Sequence, residues 1–305
     1  LFDSRLTAEI TYYDKSSKDA LVSRVLPPSL GTGATARFEN LGEVRNRGFE
    51  ALVNAQLVRR NAFAWDVTLN GSTNDNELVS LGGLPNIVTS STLQQREGYP
   101  LNGWWSRGLV SYGDKDGDGI IEYSSNRDVS EIAVTDTAVF LGYSQPRWEL
   151  AFTNGVDLWN RRIRVAAMFD YRGGHKVYDN SERIRCASRL NCEGLINPNA
   201  SAFHQARTVM VRQAPGASVA GFIEPGDFIR FRELSVTATP PDGVARRLLR
   251  GRTVAATLAA RNLGIVWTRY GGVDPEAFGT TGDAPSSFQA FAPPTFYSLR
   301  LSLGF

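Results

Sequence analysis

The sequence is poor in the residues that usually announce chemistry: two cysteines, two methionines and two histidines in 305 residues. His175 and His204 are not spaced to complete a metal site with the cysteines. No stretch approaches eighteen uninterrupted apolar residues, so no transmembrane helix is expected. Lys and Arg number 33 against 31 Asp and Glu, and this balance does not recommend nucleic acid as a partner. A nucleophile elbow, a phosphate-binding glycine loop and a convincing pair of catalytic carboxylates are all missing, which makes an enzyme the weakest class. The sequence opens at Leu1 with neither Met nor signal peptide, and is expected to be a piece of a longer protein.

What is present is alternation. Charged residues are 21% and hydrophobic residues 42%, ordinary for a folded chain. A barrel strand escapes the test for apolar runs, because every second residue of it can be polar. Arg5 to Tyr13 places Leu6, Ala8, Ile10 and Tyr12 on one face, and a polar break is expected at residues 14–19. Arg47 to Val58 and Phe63 to Ser72 alternate on either side of the polar turn Arg59-Arg60-Asn61-Ala62, which predicts a hairpin. Arg147 to Leu158 and Arg161 to Arg172 form a second pair across Trp159-Asn160. In the second member Ile163, Val165, Ala167, Phe169 and Tyr171 oppose a charged face, as suits a lipid-facing exterior and a wet lumen. Asp227 to Thr239 slips phase near Glu233, where a β-bulge would restore a common face. Arg252 to Asn262 precedes the last strand, where Tyr297, Leu299, Leu301, Leu303 and the final Phe305 share one face.

Pro27-Pro28 and Pro240-Pro241-Asp242-Gly243 mark further breaks or turns. Residues 73–145 and 173–226 lose the period and are far longer than ordinary connections, and long loops tend to carry function. The rhythm of short turn and long loop predicts an all-β, antiparallel transmembrane barrel of about eight or nine strands with long extracellular loops. Trp148, Trp159 and Tyr171 fit an interfacial girdle at the strand ends. Arg162, Arg164, Arg172, Arg230 and Arg232 fall on the lumen face. They either bias passage toward anionic solutes or pair with carboxylates such as Asp170 and Glu233.

Within the first long loop, Asp114, Asp116 and Asp118 occupy positions one, three and five of an EF-hand-type pattern, with Gly119 at six and the Ile120 carbonyl at seven. Position twelve is Ser125, so Glu122 or Asp128 would have to substitute as a calcium ligand; the alternative is a solvated acidic turn without an ion. Trp104, Trp105 and Tyr112 lie just before this loop, either as a stacking platform for a sugar or as packing against the barrel rim. Cys186 and Cys192 sit in a non-alternating stretch and would close a small disulfide loop in an oxidising compartment, two free thiols being the alternative. No organic cofactor is indicated.

Four segments in order resemble one family. Asn40-Leu41-Gly42-Glu43-Val44-Arg45-Asn46-Arg47-Gly48-Phe49-Glu50 comes first, then Asp227-Phe228-Ile229-Arg230-Phe231-Arg232-Glu233-Leu234-Ser235-Val236. Arg261-Asn262-Leu263 with Trp267-Thr268-Arg269-Tyr270-Gly271-Gly272 follows, and Val273-Asp274-Pro275-Glu276 precedes the last strand. Together they are similar to the C-terminal barrel portion of SusC/RagA-type TonB-dependent receptors, and the match covers nearly the whole chain. The resemblance implies residues 1–305 of a 22-stranded outer-membrane barrel, with the plug and the earlier strands absent from this sequence. It implies uptake of an oligosaccharide or peptide captured with a SusD-like lipoprotein and energised by TonB through the absent N-terminal region. Outer-membrane lipid would be the solvent. Two readings stand beside it: a surface or secreted β-sheet ligand-binding protein with a calcium-stiffened loop, and a small independent porin. Exposure of Ile163 to Tyr171 and Tyr297 to Phe305 separates the first of these from a transporter.

Overall fold

The computed structural model describes residues 5–25, 36–241, 243, 247, 253–278 and 284–304. The Pro27-Pro28 stop, Asp242 and the terminal Phe305 lie outside the described residues. In chain order the elements are β1 (Leu6–Val25), β2 (Ala36–Arg59), β3 (Phe63–Thr73), β4 (Asp75–Ser80), β5 (Ile87–Val88), β6 (Leu93–Gln95), β7 (Gly103–Tyr112), β8 (Ile132–Gly142), β9 (Trp148–Leu158), β10 (Ile163–Gly173) and β11 (Lys176–Tyr178). There follow α1 (Asn180–Ile184), α2 (Glu193–Ile196), α3 (Ala202–Arg212), β12 (Ile223–Pro225), β13 (Phe228–Ala238), β14 (Thr253–Thr268) and β15 (Phe296–Gly304).

One antiparallel sheet runs β1-β2-β3-β9-β10-β13-β14-β15, with β4 pairing β2 beyond the end of β3. Among the described residues the outer edges of β1 and β15 have no partner strand, so the sheet is an open arc of a barrel. Its register aligns the apolar positions in rows. Trp65 faces Val156, Val156 faces Val165, Val165 faces Val236, Val236 faces Leu258 and Leu258 faces Leu299. Because side chains alternate across a strand, such rows put all the bulky apolar groups on the convex side and Asp66, Asp157, Arg164, Asp170 and Arg172 on the other. Phe152, Leu150, Leu258, Leu299 and Leu301 are exposed, as a surface meant for lipid has to be. On this face the Asn154 amide oxygen accepts from Trp65 Nε1 at 2.6 Å.

β1 departs from the expected break at residues 14–19. It continues paired with β2 to Val25, with register shifts around Ser17 and Ala20. The polar residues do not end the strand because Arg45 on β2 offers its guanidinium to Asp14 and the backbone ladder persists. Beside this extension Gly48 explains its place in the Asn-Arg-Gly-Phe-Glu run: a Cβ there would lie 1.9 Å from the Thr73 carbonyl oxygen. That oxygen accepts a hydrogen bond from Tyr13 Oη at 2.9 Å, so the three strands meet at a point with no room for a side chain.

The hairpin turns fall where the alternation puts them, and the bulge does too. Phe231 and Glu233 pair with consecutive positions of β10, leaving Arg232 as the extra residue. Opposite it on β14, Asn262 has φ 53° and Gly264 φ 149°. The two long connections contain more order than their sequence period suggests. β5-β6-β7-β8 form a second sheet in the first, while α1–α3 and the β11-β12 pair fill the second. Ser201 caps α3 by accepting from the His204 N–H. The insertions share cores: Trp104 packs with Tyr178, Phe222 and the Cys186–Cys192 disulfide, and Ala206 and Met210 of α3 pack with Ile121 and Ile132.

Candidate functional site

The site begins with the charged motif at the head of β13. Asp227 accepts the Gly174 N–H at 2.7 Å and the Arg269 guanidinium at 3.0 Å, tying the top of β10 to the segment after β14. Arg230, 2% exposed, donates to both carboxylate oxygens of Asp274 at 2.6 Å and lies 2.7 Å from Glu276 through Nε. Bulged Arg232 reaches Asp170, Glu276 and the Asn262 side-chain oxygen, and Arg172 lies 3.6 Å from Glu276. Glu233 receives Arg261 at 2.5 Å. Residues 269–278 therefore form a strap folded onto the inner wall, its Asp274 and Glu276 neutralising three lumen arginines. Of the two sequence readings of these arginines, pairing is the one realised for Arg172, Arg230 and Arg232; of the carboxylates named for it, Asp170 is taken by Arg232 and Glu233 by Arg261 instead. Arg164 is likewise taken by Asp66 and Asp157, whereas Arg162 lies in the exposed β9–β10 turn.

Above the strap is a cavity of about 1260 Å³ lined by both insertions and by residues 269–277. Its chemistry comes from carboxylates and guanidiniums. Buried Arg207 of α3 donates to Glu224 at 3.0 Å and lies 3.5 Å from Glu182, and its face sits 5.1 Å from the Phe222 ring. Its Nε has no hydrogen-bond partner. Arg185 pairs with Glu182 at 2.9 Å, His204 Nδ1 lies 2.7 Å from Glu193, and Glu224 also accepts the Gly271 N–H at 3.1 Å. Asp179 caps α1 and accepts from Ser287 Oγ, which binds the last loop to the second insertion. None of these residues stood out in the sequence, since α1–α3 follow no long amphipathic period and the charges are distant in sequence. The capping residues Asp179 and Ser201 were the available signal.

The aromatic residues expected as a platform separate. Trp104 and Trp105 are 1% and 2% exposed and offer no open face to a sugar. Trp104 donates through Nε1 to the Lys176 carbonyl at 2.8 Å, and Trp105 is packed by Tyr99, Phe140 and the Arg96 guanidinium 4.0 Å from its ring. Both faces of β7 are covered at this end, so burial outcompetes display. Tyr112 is half-exposed and touches Phe203 at the cavity wall rather than the two indoles.

Asp114, Asp116 and Asp118 do converge, each offering an oxygen within 4.8 Å of the others. Asp114 accepts the Gly117 and Gly119 N–H groups at 2.6 and 2.9 Å, and donation from Gly119 and then Gly117 holds its carboxyl below the usual range. Ile120 is exposed, with its N–H on Asp118. Glu122 contributes its backbone instead: its N–H goes to Glu131 at 2.8 Å and its carbonyl accepts the Glu131 N–H. Buried Glu131, absent from the expected set, also accepts the Lys115 N–H at 2.5 Å and so staples both ends of the loop. Three convergent carboxylate oxygens are of the hard donor type that calcium takes, but half or fewer of its six to eight ligands. Cys186 and Cys192 are joined in a disulfide buried against Thr208 of α3.

An apolar belt outside, paired charges within and long loops over one end are the marks of a membrane β-barrel. The model of the TonB dependent receptor-like β-barrel family matches residues 1–181, and the chain belongs to that family. A TonB-dependent receptor of Formosa agariphila is 25% identical over 92% of this chain and 30% of its own length. SusC of Bacteroides thetaiotaomicron is 33% identical over 27% of this chain and 8% of its own. The RagAB peptide importer in its closed-closed state superposes over all of this chain and 34% of that one, with TM-score 0.76 at 19% identity. The chain spans about a third of the length of these longer relatives.

Proposed function

We propose that the chain is the barrel part of a longer outer-membrane receptor that imports an oligosaccharide or a peptide by TonB-dependent uptake. The observation that carries this reading is the apolar convex face, where Leu150, Phe152, Leu234, Val236, Leu258, Leu299 and Leu301 are exposed and Ile163 to Tyr171 between them are half-buried, backed by a lumen with ion pairs such as Arg232–Asp170. An enclosed-core ligand-binding protein would have covered that face. In this reading the substrate first meets the cavity around Arg207 and Glu224, a SusD-like lipoprotein delivers it, and TonB acts through a region outside this sequence. A calcium ion held by Asp114, Asp116 and Asp118, with the Ile120 carbonyl, would stiffen the first insertion; Glu122 is left to its backbone role.

The test is uptake of labelled oligosaccharides and labelled peptides by cells with and without the full-length protein. Loss of one ligand class on deletion, restored by the intact gene and not by an Arg207→Ala variant of equal membrane abundance, is expected. Equal uptake of both classes with and without the protein would sink the reading.

A further inference from the structure

The short-turn end of the sheet carries a group of charges that the lumen network does not use. Arg59 and Arg60 flank the β2–β3 turn, and Arg161 and Arg162 end the β9–β10 turn; all four are exposed. The turns are not independent. The Trp159 N–H donates to the Ala62 carbonyl at 3.0 Å, Arg60 N–H closes its own turn on Phe63 O at 3.0 Å, and the Arg162 carbonyl accepts Thr239 N–H from the end of β13 at 2.7 Å. Trp159, Asn160 and Arg161 all have positive φ, between 52° and 64°, a tight geometry in which the indole is thrown out to 66% exposure.

Among the described residues no carboxylate pairs with any of these four arginines. The reason is local: Asp66 and Asp157, the acidic residues nearest the turns on β3 and β9, are both held by Arg164, at 2.8 and 3.2 Å. At the opposite end the strand arginines are compensated, Arg45 by Asp14, Arg47 and Arg147 by Asp75, and Arg230 by Asp274. Among the described residues, these four arginines therefore form a group without ion pairs at the short-turn end. It lies level with Trp159, Phe63 and Trp65, exposed aromatics at the edge of the lipid-facing rows, which is where indoles settle at a membrane interface.

We propose that these two joined turns are a docking platform for anionic glycerophospholipid head groups. This rests on the outer-membrane reading above. The guanidiniums would attract the phosphate by their positive charge, and the indole and Phe63 would lie against the glycerol and upper acyl region. A compensated or purely aromatic edge would select no lipid charge, whereas this one does.

The experiment reconstitutes the full-length protein in vesicles of phosphatidylcholine with a minor fraction of phosphatidylglycerol and counts retained phosphatidylglycerol by native mass spectrometry. The wild type and a variant with all four arginines changed to Lys are expected to retain it. Changing all four to Gln is expected to reduce retention about tenfold or more, given the contribution of each basic residue near an anionic surface. The pair R161Q/R162Q, which leaves the β2–β3 turn intact, is expected to fall between the two and serves if the fourfold variant fails to fold. Equal retention in wild type and Gln variants overturns the proposal. So does loss of retention on adding inorganic phosphate, which would mark a free-phosphate site, or displacement by an acidic polypeptide with no lipid preference. Failure of every form to insert into vesicles would overturn the outer-membrane reading itself, and the platform with it, whereas insertion without lipid preference would overturn only the platform.

Discussion

Removing the Asp274 carboxylate should open the strap while leaving the barrel wall in place. Asp274→Ala takes away both of the 2.6 Å contacts to Arg230, a side chain 2% exposed, and the acceptor for the Glu276 N–H at 2.8 Å. Deleting one partner of a buried ion pair costs about 3–5 kcal/mol, because the other charge stays desolvated. Arg230 keeps Glu276 at 2.7 Å, so the lower end, about 3 kcal/mol, applies. At about 1.4 kcal/mol per decade, the opening equilibrium of the strap rises about 100-fold. Hydrogen exchange read by mass spectrometry on the full-length protein reports this directly. The N–H groups of Arg269 and Gly271, bonded to Asp227 O and Glu224 Oε2, should exchange faster by that factor, while β9 and β10 amides do not change. The double variant Arg230→Met with Asp274→Leu should recover most of the protection, since two apolar groups leave no orphaned charge. Exchange within about threefold of wild type in the single variant, or no recovery in the double, would refute the argument that this pair holds the strap.

Glu131→Gln should loosen the acidic loop by about 1.5–3 kcal/mol, the range for a charge-assisted hydrogen bond, and show as faster trypsin cleavage at Lys115. The donors Lys115 and Glu122 hold the Glu131 carboxyl below its usual 4.5, so the staple is fully present above that value and is lost as pH falls through the lower folded one. Calcium at millimolar level should slow cleavage at Lys115 in the wild type and not in Asp116→Asn; equal cleavage with and without calcium would remove the ion from the proposal. Burial pushes His175 down to about 4, so the folded state refuses a proton that the unfolded chain takes near 6.5. Stability should therefore drop between pH 6.5 and 5 by roughly 2 kcal/mol, and His175→Gln should flatten that slope in a denaturant titration. Cys186→Ser with Cys192→Ser should cost about 2–4 kcal/mol in the second insertion, read as earlier proteolysis there.

The barrel strands were legible because lipid outside and water inside impose period two on every residue. Ile163 to Tyr171 could be read without a partner, and even the slip near Glu233 pointed to the bulge at Arg232. The inserted sheet was not legible for the opposite reason. β5 and β6 are two and three residues long, and β7 is buried on both faces at Trp104 and Trp105, so its period vanishes just where it packs best. The same packing turned a pair of aromatics that looked available for a ligand into core. Among the site residues, Asp227, Arg230 and Glu276 were visible as motif members but not as partners. Their pairing spans about forty residues and depends on the strap returning to the wall. Of the cavity carboxylates, only Asp179, as a helix cap, carried a sequence signal.

The motifs at the end of the chain turn out to be one another's counterions. Asp227 binds Arg269, Arg230 binds Asp274, Arg232 reaches Asn262 and Glu276, and Glu233 binds Arg261. A graft between related receptors that cuts between β13 and β14 would therefore strand charges on both sides of the seam. One that cuts in the β9–β10 turn, ahead of Asp170 and Arg172, would carry this set across and part only Arg164 from Asp66 and Asp157. The unit of exchange here is drawn by electroneutrality rather than by strand or loop boundaries.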